Sequence, residues 1–220
     1  MTNSEENYIK VIYHLSLVSP KGVSTNAIAA TLETKASSVT DMLKKLADKK
    51  LVEYQKYQGV SLTTDGSTCA KMIVRKHRLW EVFLVNKLGF TWDEVHEIAE
   101  ELEHIKSEKL INKLDEFLDF PTLDPHGDPI PNRNGEITTM HKLLLSEAKI
   151  NEIYVCVGVK NSSSEFLQFL DKLNLSLGSS LQIISKEDFD GSIVLKLNDK
   201  TIALSSKIAE NLYIKTKKDE

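Results

Sequence analysis

Cysteine is nearly absent from this chain. Cys69 and Cys156 are the only two among 220 residues and stand far apart, which excludes a disulfide framework and a four-thiolate zinc site. No apolar run approaches the roughly 18 residues of a bilayer span, and the opening MTNSEENY lacks the cationic start and apolar core of a secretory leader. A cytoplasmic location, with no membrane partner, is the expectation. There is no glycine-rich phosphate loop and no Gly-x-Ser-x-Gly elbow, so two common enzyme signatures are missing. His96-Glu-Ile-Ala-Glu100 fails the His-Glu-x-x-His metalloprotease motif at its last position. Glu101-x-x-His104 is half of a di-iron signature without a second clear copy. No internal repeat or low-complexity tract is visible.

What remains is an ordinary globular composition, 41% apolar and 27% charged, long enough for two or three small domains. The net charge of −4 hides a division. Residues 1–76 carry 11 Lys and Arg against 7 Asp and Glu, residues 77–150 carry 8 against 15, and residues 151–220 carry 9 against 10. A basic first third beside an acidic middle points to one part for a polyanion and another for cations.

The spacing of apolar residues predicts a first helix capped by Ser4 and closed at Pro20-Lys-Gly22, then a short helix capped by Ser24. A third helix starts at Ser37 or Ser38, one of which supplies its cap, with Val39, Met42, Leu43 and Leu46 facing inward. Two short strands, from Leu51 and from Val60, flank a turn and complete a winged helix-turn-helix. Helix returns from Thr68 to about Lys87. Thr91 with Glu94 then reads as a capping box, opening one long helix to about Leu118. Its apolar stripe exceeds what a lone helix needs, so part of it is expected to face a second subunit. The Pro- and Gly-rich stretch 121–135 is loop. Four β-like runs and one helix, Ser163 to Leu173, follow after Ile150. The expected fold is mainly α with small β: a winged helix at 1–74, a helical segment for metal binding and dimerisation at 75–140, and a small β-barrel at 150–220.

The densest chemistry lies in His77 and Glu81 on one helix and His96, Glu100, Glu103 and His104 on the next. Residues three or four apart share a helix face, so mixed imidazoles and carboxylates face one another, a set that suits Mn²⁺, Fe²⁺ or Zn²⁺. A solvated acidic face is the plain alternative. Asp124 and His126 in the loop can reach one ion with Glu81, or can simply shape a turn. For nucleic acid, Ser37, Ser38 and Thr40 at the start of the third helix can approach bases or phosphates. Lys35, Lys44 and, in the wing, Lys56 and Tyr57 supply further contacts. Winged helices also serve as protein-interaction modules, and here the basic balance favours double-stranded DNA.

These residues resemble the diphtheria toxin repressor family of metal-dependent transcriptional regulators, and specifically its manganese-type branch. The resemblance rests on Glu6-Asn-Tyr-Ile-Lys-Val-Ile-Tyr, Arg75-Lys-His-Arg-Leu with Glu81, Val95-His96, Glu103-His104 and His126-Gly-Asp-Pro-Ile-Pro131, in order along nearly the whole chain. It implies an SH3-like C-terminal domain and a homodimer that binds operator DNA, with no small organic substrate. It implies one metal site from His77, Glu81 and His96, joined by Asp124 and His126, and a second from Glu100, Glu103 and His104, giving two ions per subunit. Asn7 stands at the family's N-terminal ligand position, where its carbonyl oxygen can coordinate. Lys10, where one branch has a Glu ligand, cannot do so while charged. A further ligand is implied within residues 161–165. Glu100, in place of the cysteine of iron-type members, points to Mn²⁺, with Fe²⁺ as the alternative. The expected function is a Mn²⁺-dependent repressor of metal-uptake genes and not an enzyme. The rival readings are a carboxylate and histidine metalloenzyme (hydrolase or ferroxidase) and a metal-independent winged-helix interaction protein.

Overall fold

A computed structural model describes residues 1–55, 59–138, 140–198 and 200–217. Its contacts divide the chain into two compact units. The first comprises Met1–Trp80, Ala99–Glu116 and Pro131–Ile137, and the second comprises Glu81–Ile98, Phe117–Ile130 and Thr138–Glu220.

In the first unit, α1 (Asn3–Val18), α2 (Thr25–Thr31) and α3 (Ala36–Asp48) precede the antiparallel pair β1 (Val52–Gln55) and β2 (Gly59–Leu62). The cap of α1 is Thr2 rather than Ser4: Glu5 N–H donates to Thr2 Oγ1 and Thr2 N–H donates to Glu5 Oε2, a complete capping box. Ser24 caps α2 as expected. Lys35 takes the cap position of α3 without a side-chain hydrogen bond, so Ser37 and Ser38 are released from capping and stand exposed in the first turn. Ile9, Ile12, Ile28, Val39, Leu43 and Leu46 are fully enclosed and form the core of this winged helix with Val52 and Val60. Burying each such side chain contributes about 1.5–3 kcal/mol.

The helix α4 (Thr64–Leu88) is followed by α5 (Val95–Leu102) and α6 (Glu108–Phe117). The single long helix expected from Thr91 to about Leu118 is therefore two. Thr91 N–H donates to Glu94 Oε2, as half of the expected box, but Ile105 N–H bonds back to Leu102 O and closes α5. Ser107 then accepts from the backbone of Leu110 through its hydroxyl and of Ile111 through its carbonyl, starting α6.

In the second unit, β3 (Leu143–Leu144), β4 (Ile153–Val159), β5 (Ser180–Lys186), β6 (Ile193–Leu197), β7 (Lys200–Leu204) and β8 (Leu212–Thr216) form one antiparallel sheet in the order β3-β8-β4-β5-β6-β7. Here the expected barrel is corrected. Among the described residues the sheet stays open, with the two-residue strand β3 at one edge and β7 at the other. The helix α7 (Ser164–Lys172) buries Leu167 and Leu170 against Leu181, Ile183 and Leu195 of the sheet. A short helix, α8 (Ser206–Ala209), precedes β8.

Candidate metal centre

Within the second unit, Glu81 from α4 and Asp124 and His126 from the loop bring one ligand atom each within 4.8 Å of one another, and all three are buried. His96 of α5 adds an exposed imidazole with Nδ1 3.6 Å from Glu81 Oε1. The loop is built by its own backbone. Asp124 Oδ1 accepts from the N–H groups of His126 and Asp128, a local turn made by a short carboxylate. His126 O then accepts from Val159 N–H at 2.9 Å, which fastens the loop to β4.

The imidazole of His126 is oriented by a group that can only accept. Its Nε2 lies 2.8 Å from Trp92 O, so Nε2 carries the proton and donates, while Nδ1 faces Glu81 Oε1 at 3.7 Å. The Trp92 ring stacks on it, 6.4 Å between centroids and 10° apart. The turn that offers this carbonyl is itself held by α7: Trp92 Nε1–H donates to Asp171, Gln168 to the Asp93 carboxylate and Ser164 Oγ to Asp93 O. Burial alone would lower the His126 pKa, but the carboxylates of Glu81 and Asp124 outweigh it and raise the value to about 9. Two buried carboxylates and a buried imidazole, with the exposed imidazole of His96 beside them, fit a borderline-hard divalent ion.

The first unit gathers a different set. Lys10 Nζ lies 2.5 Å from Glu100 Oε1 and 2.7 and 2.8 Å from the two carboxylate oxygens of Glu103, and His77 Nδ1–H donates to Glu103 Oε2 at 2.7 Å. Burial would raise the Glu103 pKa, yet His77 and Lys10 hold it below the usual carboxylate range. His104 is turned elsewhere, with Nδ1–H donating to Glu6 Oε2 at 2.7 Å. The Oδ1 atom of Asn7 is buried and finds no hydrogen-bond partner. In the segment 161–165, Asn161 Oδ1 accepts from Ser163 N–H and Ser163 caps α7, while Glu165 lies outside the groups of converging ligand atoms.

Sequence reasoning missed two features. One is the grip of Lys10 on both carboxylates, which lie 90 and 93 positions away in the chain. The other is the pair Arg75 and Asp115, both buried, with Nη2 2.6 Å from Oδ2. Neither cysteine joins the converging groups. Burial pushes the Cys156 thiol up to about 11 and also raises that of Cys69.

On the nucleic-acid side, Lys35, Ser37, Ser38 and Lys44 are exposed on or just before α3. Thr40 is half-buried and its hydroxyl donates to Ala36 O, and Lys44 meets Asp41 at 3.3 Å. Lys56 and Tyr57 lie outside the described residues. No helix among those described is long and apolar enough to cross a membrane.

Comparison with known proteins assigns these parts. A family model described as the N-terminal DNA binding domain of iron dependent repressors matches residues 1–60, and the metal binding and dimerisation domain of the same repressors matches 63–132. A FeoA domain model matches 143–216. The iron-dependent repressor IdeR of Mycobacterium leprae is 34% identical over 60% of this chain, a match that spans only 56% of that relative's length. The diphtheria toxin repressor of Corynebacterium diphtheriae is 27% identical over 97% of each protein. Among solved structures, a manganese-dependent transcriptional repressor in complex with manganese aligns with a TM-score of 0.84 at 33% identity, over 96% of this chain and 99% of that one.

Proposed function

The chain belongs to the iron-dependent repressor family, metal-dependent DNA-binding regulators rather than enzymes, and from that premise we propose that it is a Mn²⁺-activated repressor of metal-uptake genes. The observation that carries this reading is the buried set of Glu81, Asp124 and His126, with His96 beside it and no thiolate. When bound, the ion supplies a cross-link among α4, α5 and the loop. His126 would ligate through Nδ1 while the Trp92 carbonyl keeps its Nε2 proton, the outer hydrogen bond that fixes a ligating imidazole. Oxygen and nitrogen donors suit Mn²⁺, whereas a thiolate would favour softer ions. Fe²⁺ is the second ion to test, since the mycobacterial relative is named for iron.

The chain acts as a homodimer in this reading. Support comes from the match to a dimerisation domain and from Leu110 and Phe117, exposed at 43% and 61% on α6. Two recognition helices must stand about 34 Å apart to engage a palindromic operator. A ligand set that is complete only in that arrangement draws the population toward it.

Fluorescence anisotropy with a labelled duplex from the chain's own upstream region tests this directly. Tight binding is expected with Mn²⁺ and weak binding after chelation. Equal binding in both conditions would remove the ion from the function. Within the same assay, Lys44→Ala is expected to weaken binding and flatten the dependence of log K on log salt by about 0.9, one phosphate contact. An unaltered slope would take Lys44 out of the interface.

A further inference from the structure

Lys10 sits where a second divalent ion would have to sit. Its ammonium is ringed by three carboxylate oxygens at 2.5–2.8 Å, and an ammonium has three N–H donors to match them. Lys10 is buried, at 7% exposure, and Glu103 is wholly enclosed. His77 Nδ1–H approaches Glu103 as well, so the groups facing this carboxylate are donors. His104, the third ligand that the family resemblance implies for a second ion, is engaged with Glu6. His77, Glu100 and Glu103 do bring one ligand atom each within 4.8 Å of one another, but the carboxylates that would attract a second divalent ion already have a cation between them, so the residues present do not fit it.

We infer that Lys10 is a tethered substitute for the second ion, closing the Glu100 and Glu103 pair to metal and leaving one divalent ion per subunit. An incoming ion would have to settle beside a like charge or drive the ammonium out of an enclosed position. The ammonium has the further advantage of being part of the chain, so its effective concentration at the carboxylates is high and independent of metal supply. Lys10 belongs to α1, and Glu100 and Glu103 belong to α5 and its last turn. The contact therefore clamps a helix of the winged domain to α5 permanently, where an ion would do so conditionally. Regulation then falls to the Glu81 and His126 centre alone. The inference deepens the reading of the chain as a metal-activated repressor and rests on it for its biological meaning.

Equilibrium dialysis of the full chain against Mn²⁺, with bound metal counted per subunit, provides the test. Wild type is expected to bind one ion, Lys10→Met two, His126→Ala none and the double variant one. Removing the ammonium exposes Glu100 and Glu103 and leaves Asn7, one turn earlier on α1, with its orphaned carbonyl oxygen. Mn²⁺ is also expected to raise the Tm of Lys10→Met by more than that of wild type, because the ion restores the charge balance around an enclosed Glu103. Two ions in wild type, or one in a folded Lys10→Met chain, would overturn the inference. No ion in wild type together with one in Lys10→Met would sink the Glu81 and His126 centre while supporting the role of Lys10. Should Lys10→Met not fold, Lys10→Gln replaces it, and the wild-type count still separates one ion from two.

Discussion

Replacing Gly127 by alanine is expected to weaken Mn²⁺ binding by about 10- to 100-fold, the usual cost of losing a group that orients a ligand, while the winged helix stays folded. Gly127 has φ +84°, in the left-handed region that side chains resist, and a Cβ there would lie 2.0 Å from Val157 O and 2.5 Å from Gly158 Cα. Neither neighbour is a side chain that can rotate away, so the loop must lift from β4. Lifting it breaks the bond from Val159 N–H to His126 O and carries the imidazole away from Glu81. The control is Gly178→Ala, at the same φ of +84° but with open space around the added carbon. It should cost only the backbone strain, about 1–2 kcal/mol, and leave the metal affinity unchanged. Calorimetric titration of both variants measures the difference, and equal affinities would show that close packing against β4 does not position His126.

The second large effect is on stability. Asp115→Ala is expected to cost about 3–5 kcal/mol, the range for removing one partner of a buried ion pair, out of a total that for a typical domain is about 5–15 kcal/mol. Arg75 is only 2% exposed, its Nε and Nη1 atoms already lack hydrogen-bond partners, and its contact to Asp115 is 2.6 Å long. Burial lowers the Arg75 pKa, opposed by Asp115, so without that carboxylate the guanidinium is a charge in a closed space. Urea unfolding should show the loss as a shift in midpoint. The double variant Arg75→Met, Asp115→Leu should recover most of it, since an apolar pair of similar volume can replace a buried ion pair. A stability for Asp115→Ala within about 0.5 kcal/mol of wild type, the range of an ordinary surface change, would mean that water reaches the guanidinium.

Much of the winged helix was legible because it is written in local spacing. Ser24 precedes its helix, Val39, Leu43 and Leu46 recur on one face, and two short β runs flank the wing. The residue types that converge in the candidate metal centre were visible in the sequence on α4, α5 and the loop. What escaped are interactions between residues distant in sequence. Lys10 and Glu103 are separated by 93 positions and Arg75 and Asp115 by 40, and nothing local marks them as pairs. The break between α5 and α6 escaped for a different reason. The apolar stripe continues through Ile105 to Ile111, and Ser107, which restarts the helix, is also an acceptable interior residue. The strand β8 was not anticipated, yet it pairs with both β3 and β4.

The two cysteines stand outside the converging ligand groups, and both are shifted toward the thiol form. Peroxide attacks the thiolate and not the thiol; burial pushes the Cys156 thiol up to about 11 and raises that of Cys69 as well. The candidate metal ligands are carboxylates and imidazoles, so oxidation of a cysteine would not remove one of them.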